Sequence, residues 1–506
     1  MSIEGYTNPF SEMSLNASKQ FDDATLDNDI FELQRLIEEI EPMIPNEDIA
    51  SQAQLYYSIG TVYGDIARIN SDSDEKLIKK QLYYFRKSIA LIEHEELANP
   101  KYTPYVNALK MILYTNYGNT LDHCGRKIAA IEQYKKALLL RDDFGMALGN
   151  LGMAYRHYGM LVSDSIHRDY LHHFAYNLLD QAIKSNDPNT HPEAKKYFNR
   201  AIDDYDCEYV QKVLRVSLEI PQYSYSDQEE LCYREWALKN NLFLNPLNDL
   251  PADEFCFAAD VIQLPKMLAN LDDKPIFHGM FNQFKQEFVF ARYQYYCSQQ
   301  VIGEVHFADK DTYLLNFADY PQYSVRIEML KSAFKTLYSL LDKISFFLNF
   351  YFKLGIQERD INFHSIWYSE KKGKYKYQNV LDHKTNFALA SIYWIGKDFY
   401  ERFCNSPNPQ AKRVRDIRNA LEHKYVKVYW DLWEDRANGA IDDLAFYMSE
   451  AELISETFNL LKLIREVIIC LALSVGIEEE YRREKLDPEK LILPMSLMDY
   501  DDEWKI

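Results

Sequence analysis

Glycine and proline are scarce in this 506-residue chain, at 16 and 17 residues, and few segments alternate polar and apolar residues for long. Turn-rich β architectures are thereby disfavoured, and the long stretches of apolar residues at helical spacing predict a predominantly α-helical protein. The seven cysteines are odd in number and form no CxxC pair. A zinc knuckle or a disulfide framework is therefore not expected, which fits a reducing cytoplasm. Long hydrophobic runs are missing too. The best, VIICLALSV at 467–475, is too short to span a bilayer, and the first twenty residues have neither a basic nor an apolar leader segment. Soluble, cytoplasmic residence without a membrane partner is the expectation. Basic excess is also absent. A net charge of −20 excludes a surface built for indiscriminate nucleic-acid binding but leaves room for a local basic site. There is no GxxxxGK[ST] phosphate loop, no metal-ligand spacing of histidines and no convergent carboxylate cluster. No cofactor and no metal are expected.

What is present starts with aromatics, 39 Tyr and 28 Phe, in a chain long enough for two or three domains. Residues 1–25 read as a polar, partly mobile lead-in, and amphipathic helix begins near residue 26. TNYGNTLDHCGRK (115–127) is then echoed by GNLGMAYRHYGML (149–161) at an offset of 34 residues: Asn116 recurs as Asn150, Gly118 as Gly152, Gly125 as Gly159. That is the tetratricopeptide period. Gly118, Ala130, Tyr134 and Ala137 fall where such a repeat packs its two helices. Gly60 marks an earlier unit, and the outer units are expected to carry insertions of about ten residues between their helices. Tetratricopeptide-like repeats are thus expected over 26–190, with a concave face that docks a protein or other trigger. Residues 191–233 read as a helical connector, 234–480 as a helical bundle and 481–506 as an acidic, flexible tail.

An Arg-x4-His pattern occurs three times: Arg168 to His173, Arg359 to His364, and Arg418 to His423. The first falls in the last repeat, in the expected insertion. The second follows Gly355, where a helix should end, and reads as a loop packing down through Phe363, Ile366 and Trp367. The third lies on a helix entered after a turn containing Pro407 and Pro409, and its flank is locally basic (Lys412, Arg413, Arg415, Arg418, Lys424, Lys427). Asn419 and His423, four apart, share one helical face. Arg418 is rotated ~140° from His423, so it reaches the same phosphate by bending its side chain or by facing a second subunit. A histidine on a Lys/Arg-rich helix is more often a plain surface residue than a catalyst. Glu287 and Arg292 lie on a helix that could pack beside this one, and Glu287 could pair with Arg418 or Arg415. Asp342, Lys343 and Asn349 are polar residues in an apolar helix and are expected to form a structural network. His383 is expected to cap a helix or lie at the surface.

The Arg-Asn-x3-His helix inside an all-α bundle resembles the HEPN-domain ribonucleases. NLFLNPLNDL (241–250), FNQFKQEFVFAR (281–292), LLDKISFFLNFYF (340–352) and RNALEHKY (418–425) resemble segments of a HEPN subgroup found behind tetratricopeptide-type repeats. The likeness covers roughly 235–475. It implies a metal-independent endoribonuclease acting as a homodimer on RNA, transfer RNA included, as a toxin or in defence against phage. Arg418, Asn419 and His423 would be catalytic, with Arg415, Glu287, Arg292 and Lys424 supporting them or touching RNA. The competing reading is a non-catalytic helical-repeat adaptor whose bundle dimerises and binds RNA or a nucleotide.

Overall fold

The structure is a computed structural model. It describes residues 5–70, 75–215, 227–251, 255–269, 274–300, 305–315, 321–363, 365–371, 374–377, 381, 385–399, 408–430, 444–485, 493–495 and 497–505. Two compact units divide the chain: the first holds residues 1–160, 164–217 and 397–411, the second 161–163, 218–396 and 412–506. The chain is predominantly helical, as its periodicity predicts. Among the described residues no helix is long and apolar enough to cross a membrane.

The first unit is a series of antiparallel helices, α1 (Glu12–Leu26), α2 (Ile30–Ile40), α3 (Ile49–Ile69), α4 (Glu75–Ile92), α5 (Thr103–His123), α6 (Lys127–Leu140), α7 (Gly145–Leu161), α8 (Ser165–Lys184), α9 (Pro192–Asp203) and α10 (Cys207–Leu214). Many starts are written in the sequence. Ser11, Asp29, Asp48 and Asp164 each accept a hydrogen bond from a backbone N–H three residues on, satisfying donors that a helix N-terminus leaves orphaned. The expected mobile lead-in is instead α1, whose Ala17, Phe21 and Ala24 are buried in a cluster with residues of α2 and α3. Likewise the expected connector contributes α9 and α10 to this unit, with Phe198 buried against Leu148, Leu179 and Ala182.

The same small-residue contact recurs in three hairpins. Gly60 of α3 faces Phe85 of α4, Gly118 of α5 faces Tyr134 of α6, and Gly152 of α7 faces Leu179 of α8. The sequence separation is longer in the outer two, as anticipated, but not because of loops: α7 and α8 are joined by only Val162–Asp164, and the additional residues lengthen the helices. A Cβ on Gly118 would lie 2.6 Å from a ring carbon of Tyr134, whose hydroxyl is fixed by donating to Asn119 Oδ1 at 2.9 Å. Tyr134 is buried and has little room to give. Gly118→Ala should therefore destabilise the unit by ~1–3 kcal/mol, the usual effect of overpacking a core. Circular dichroism melting of the full chain checks this, and an unchanged first transition would contradict it.

The second unit begins at α11 (Gln228–Lys239) and is built on α12 (Ile276–Gln300), α13 (Val325–Tyr351) and α16 (Glu450–Glu484), which pack on one another. Between them come α14 (Phe387–Phe399), whose last residues from Lys397 belong to the first unit, and α15 (Ala411–His423). The core is apolar at helical spacing: Phe281, Phe284 and Phe288 on α12, then Leu330, Phe334, Leu337, Leu341 and Ile344 on α13. Three short strand pairs were not anticipated. β1 (Leu268–Ala269) pairs antiparallel with β6 (Leu493–Pro494), and β2 (Tyr368–Lys371) with β3 (Lys374–Tyr377). β4 (Tyr425–Tyr429) pairs in parallel with β5 (Ala445–Ser449), register Tyr425 to Ala445. The expected flexible tail is thus tied down in part, since Asp499 also accepts from Gln263 Nε2 at 2.8 Å. α13 ends at Tyr351, and Gly355, with φ +73°, lies in the turn beyond it.

Candidate functional site

α15 is short and strongly two-faced. Ala411, Val414, Ile417 and Ala420 are buried at three-residue steps, so the opposite face carries the charges. Arg415, Arg418 and Asn419 are half-buried, while Lys412, Glu422, His423 and Lys424 are exposed. The helix gives way at once to β4, and the parallel partner β5 runs straight into α16, whose N-terminus Ser449 caps. Arg413 ties these pieces together. Its guanidinium donates twice to Glu452, at 2.5 and 2.7 Å, and once to Tyr447 O at 3.1 Å, and it lies over the Phe446 ring. The short strand pair and this bidentate clamp hold α15 at a fixed place against the bundle.

Arg418 Nη1 donates to Asn419 Oδ1 at 3.1 Å, and its guanidinium lies 5.6 Å from the centre of the Tyr338 ring on α13. Asp342, one turn further along α13, is electrostatically coupled to it. Burial raises the Asp342 carboxyl above its ordinary range, while a hydrogen bond from Phe363 N–H and the charge of Arg418 pull it back. Among the described residues Arg418 and Arg415 form no ion pair with a carboxylate, in contrast to Arg413. The His423 ring, at the helix end, has no hydrogen-bond partner among them either. An arginine propped by an aromatic face and an amide is preorganised without being neutralised, which suits it to an incoming phosphate. Asn419 spends its oxygen on Arg418, which leaves its NH2 group as the donor of a residue ~40° round an ideal helix from His423.

Not every expected residue joins this group. Glu287 pairs with neither arginine: Nζ of Lys343, the residue after Asp342 on α13, sits 2.6 and 2.7 Å from its two oxygens. Arg292 is 1% exposed and cannot meet RNA; it donates to both oxygens of Asp260 (2.9 and 2.7 Å), to Leu242 O and to Tyr233 OH. Burial would raise the Asp260 carboxyl, but Arg292 and the Leu244 N–H hold it below the usual range. Of the basic flank, Lys427 is buried in β4. Asn349 belongs to a purely structural pairing, exchanging two hydrogen bonds with the Ile356 backbone.

The rival Arg-x4-His pairs fare differently. Arg168 and His173 lie on α8, not in an insertion loop, and His173 Nδ1 is 2.8 Å from Val213 O, a packing role. Phe363, Ile366 and Trp367 are buried as expected, but His364 itself, like His383, lies outside the described residues.

Tyr338 and Asp342 are the neighbours of Arg418 that the sequence reading did not single out together. Their one-turn spacing on α13 was the available signal.

Residues 268–478 match the family model described as LA2681-like HEPN, a span that contains α12 through most of α16 and all of α15. No curated protein and no solved structure matches the chain.

Proposed function

We propose that the HEPN-family domain at residues 268–478 is an endoribonuclease whose site is the exposed face of α15. HEPN domains are commonly ribonucleases that bind RNA and dimerise. The observation that carries the reading is the Arg418 arrangement: half-buried, held by Tyr338 and Asn419, in no ion pair with a carboxylate among the described residues, on the helix that ends in an exposed histidine. In this reading His423 accepts the proton of a ribose 2′-OH, or gives one to the departing 5′-oxygen, since an imidazole can do both near neutral pH. The 2′-oxygen attacks the adjacent phosphorus, the bond to the 5′-oxygen breaks, and the product is a 2′,3′-cyclic phosphate. Arg418 stabilises the added charge on the phosphate, and Asn419 donates to it or orients His423. The nucleophile belongs to the RNA, so the scheme calls on no metal.

Because Arg418 and His423 are offset by ~140° on one helix, a homodimer that brings two α15 helices together supplies both groups to one phosphate. The glycine-centred hairpins and the 34-residue echo support reading the first unit as tetratricopeptide-like repeats that dock a trigger. A nuclease fused to a docking module fits a toxin or antiphage effector, with transfer RNA among the candidate targets. The test is cleavage of total cellular RNA by purified protein in excess EDTA, wild type beside His423→Ala. Discrete products with 2′,3′-cyclic phosphate ends from the wild type alone are expected; equal cleavage by both proteins sinks the assignment.

A further inference from the structure

β4 does more than anchor α15. Tyr425, its first residue, follows His423 by two positions and is 44% exposed. Its hydroxyl lies 3.0 Å from that of Tyr323, which is 48% exposed. Tyr323 belongs to the short stretch before α13, and that stretch is pinned alongside β4. Gln322 N–H donates to Val428 O at 2.8 Å, and Gln322 Nε2 to Glu450 Oε2 at 2.7 Å. Glu450 is buried at the start of α16 and also pairs with Arg326. Ordered backbone on both sides therefore brings the two tyrosines together.

The inner side of the Tyr425 ring is occupied. Lys427, two residues along the strand and so on the same face of it, is 5% exposed. Its Nζ lies 5.3 Å from the centre of the Tyr425 ring and 5.8 Å from that of Tyr447, its cross-strand partner on β5. A buried ammonium marks the protein side of the ring, so the exposed part of Tyr425 looks away from it. Folding alone gives little reason for this pair. A hydrogen bond between two hydroxyls open to water adds little stability, and aromatic carbon is left in solvent. Exposed Lys424 stands between Tyr425 and His423, and its N–H closes the last turn of α15 on Ala420 O at 2.9 Å. Two residues of chain span at most about 7 Å, so an imidazole, an ammonium and an aromatic face lie within the reach of one or two nucleotides.

We propose that Tyr425, with Tyr323 beside it, is a stacking platform for an unpaired base next to the phosphate held at Arg418 and His423, with Lys424 on a neighbouring phosphate. The platform rests on the ribonuclease reading, which supplies that phosphate, and names the substrate class: single-stranded or looped RNA. A base reaches an aromatic face only outside a duplex, where pairing and stacking hide it. Every base has a π-face, so the platform selects for unpaired structure more than for sequence.

The test is binding of a fluorescein-labelled single-stranded RNA whose 2′-hydroxyls are methylated, and of the same strand annealed to its complement, measured by anisotropy on the full chain. Methylation removes the nucleophile, so the wild type can be compared uncut with Tyr425→Leu, Tyr425→Phe and Tyr323→Leu. Tyr425→Leu should weaken single-strand binding about tenfold, the effect of losing one base–aromatic stack. Tyr323→Leu should weaken it at least about threefold. Tyr425→Phe keeps the ring and should stay within about twofold of the wild type. Duplex binding should change in none of them. Unchanged single-strand affinity in both leucine variants, an equal loss on the duplex, or no RNA binding by the wild type overturns the proposal. The expected losses, with unmethylated RNA left uncut by the wild type in EDTA, uphold the platform and remove the ribonuclease reading. Cleavage with KM unchanged in Tyr425→Leu keeps the ribonuclease and removes the platform.

Discussion

His423→Ala should lower the rate of RNA cleavage in EDTA by ~10²–10⁴-fold, the usual contribution of a positioned general acid or base. The loss should fall on kcat, with KM little changed, because an imidazole that moves a proton acts in the transition state and not in RNA binding. His423 is exposed and, among the described residues, has no hydrogen-bond partner. Its truncation should therefore leave the melting temperature where it was, within ~0.5 kcal/mol. That combination separates catalysis from an indirect structural effect. Arg418→Lys is the companion variant. Lysine keeps the charge but cannot lie flat on Tyr338 while donating to Asn419, so most of the loss seen with Arg418→Ala should persist. Near-complete rescue by lysine would mean that Arg418 supplies only diffuse charge.

How much of this was legible beforehand depended on how local each signal is. The helices of the second unit were readable because Phe281, Phe284 and Phe288, or Leu330, Phe334 and Leu337, repeat within single segments. The glycine contacts were readable because a 34-residue echo puts the same small residue at the same point of successive hairpins. The β4–β5 pair was missed for the opposite reason. YVKVY alternates for only five residues, and its parallel partner is supplied by a segment some way downstream that alternates weakly. Partner choice among charges was also opaque. Glu287 and the α15 arginines were each visible as charged residues on helices, but only the packing of α12 on α13 places Lys343 closer to that carboxylate. Arg292 could have been placed correctly. It continues the buried stripe Phe281, Phe284, Phe288 to Tyr295 at steps of three and four, which marks an arginine on the core face rather than the RNA face.

A second buried arginine carries the largest stability effect. Arg465 on α16 is 2% exposed and donates along one loop: Nε to Phe243 O at 2.6 Å, Nη1 and Nη2 to the two oxygens of Asp249 at 2.7 and 3.1 Å, and Nη2 to Asn245 O at 3.0 Å. Phe243, Asn245 and Asp249 are themselves buried. The loop NLFLNPLNDL therefore works as a structural plug upstream of the matched span, with α16 as its anchor. Arg465→Met removes this guanidinium from a buried carboxylate and two backbone carbonyls, and should cost ~3–5 kcal/mol, the range for breaking one side of a buried pair. On a unit of this size that lowers the melting transition by on the order of 10 °C. Asp249→Leu should be similarly damaging, since it removes the carboxylate that faces the buried guanidinium. The two losses should not add in Arg465→Met/Asp249→Leu, because the double variant removes both members of the buried charge pair together. A double-mutant cycle by urea unfolding measures this directly. A coupling near zero would mean that Arg465 and Asp249 are each held by other groups and that the loop does not depend on their pairing.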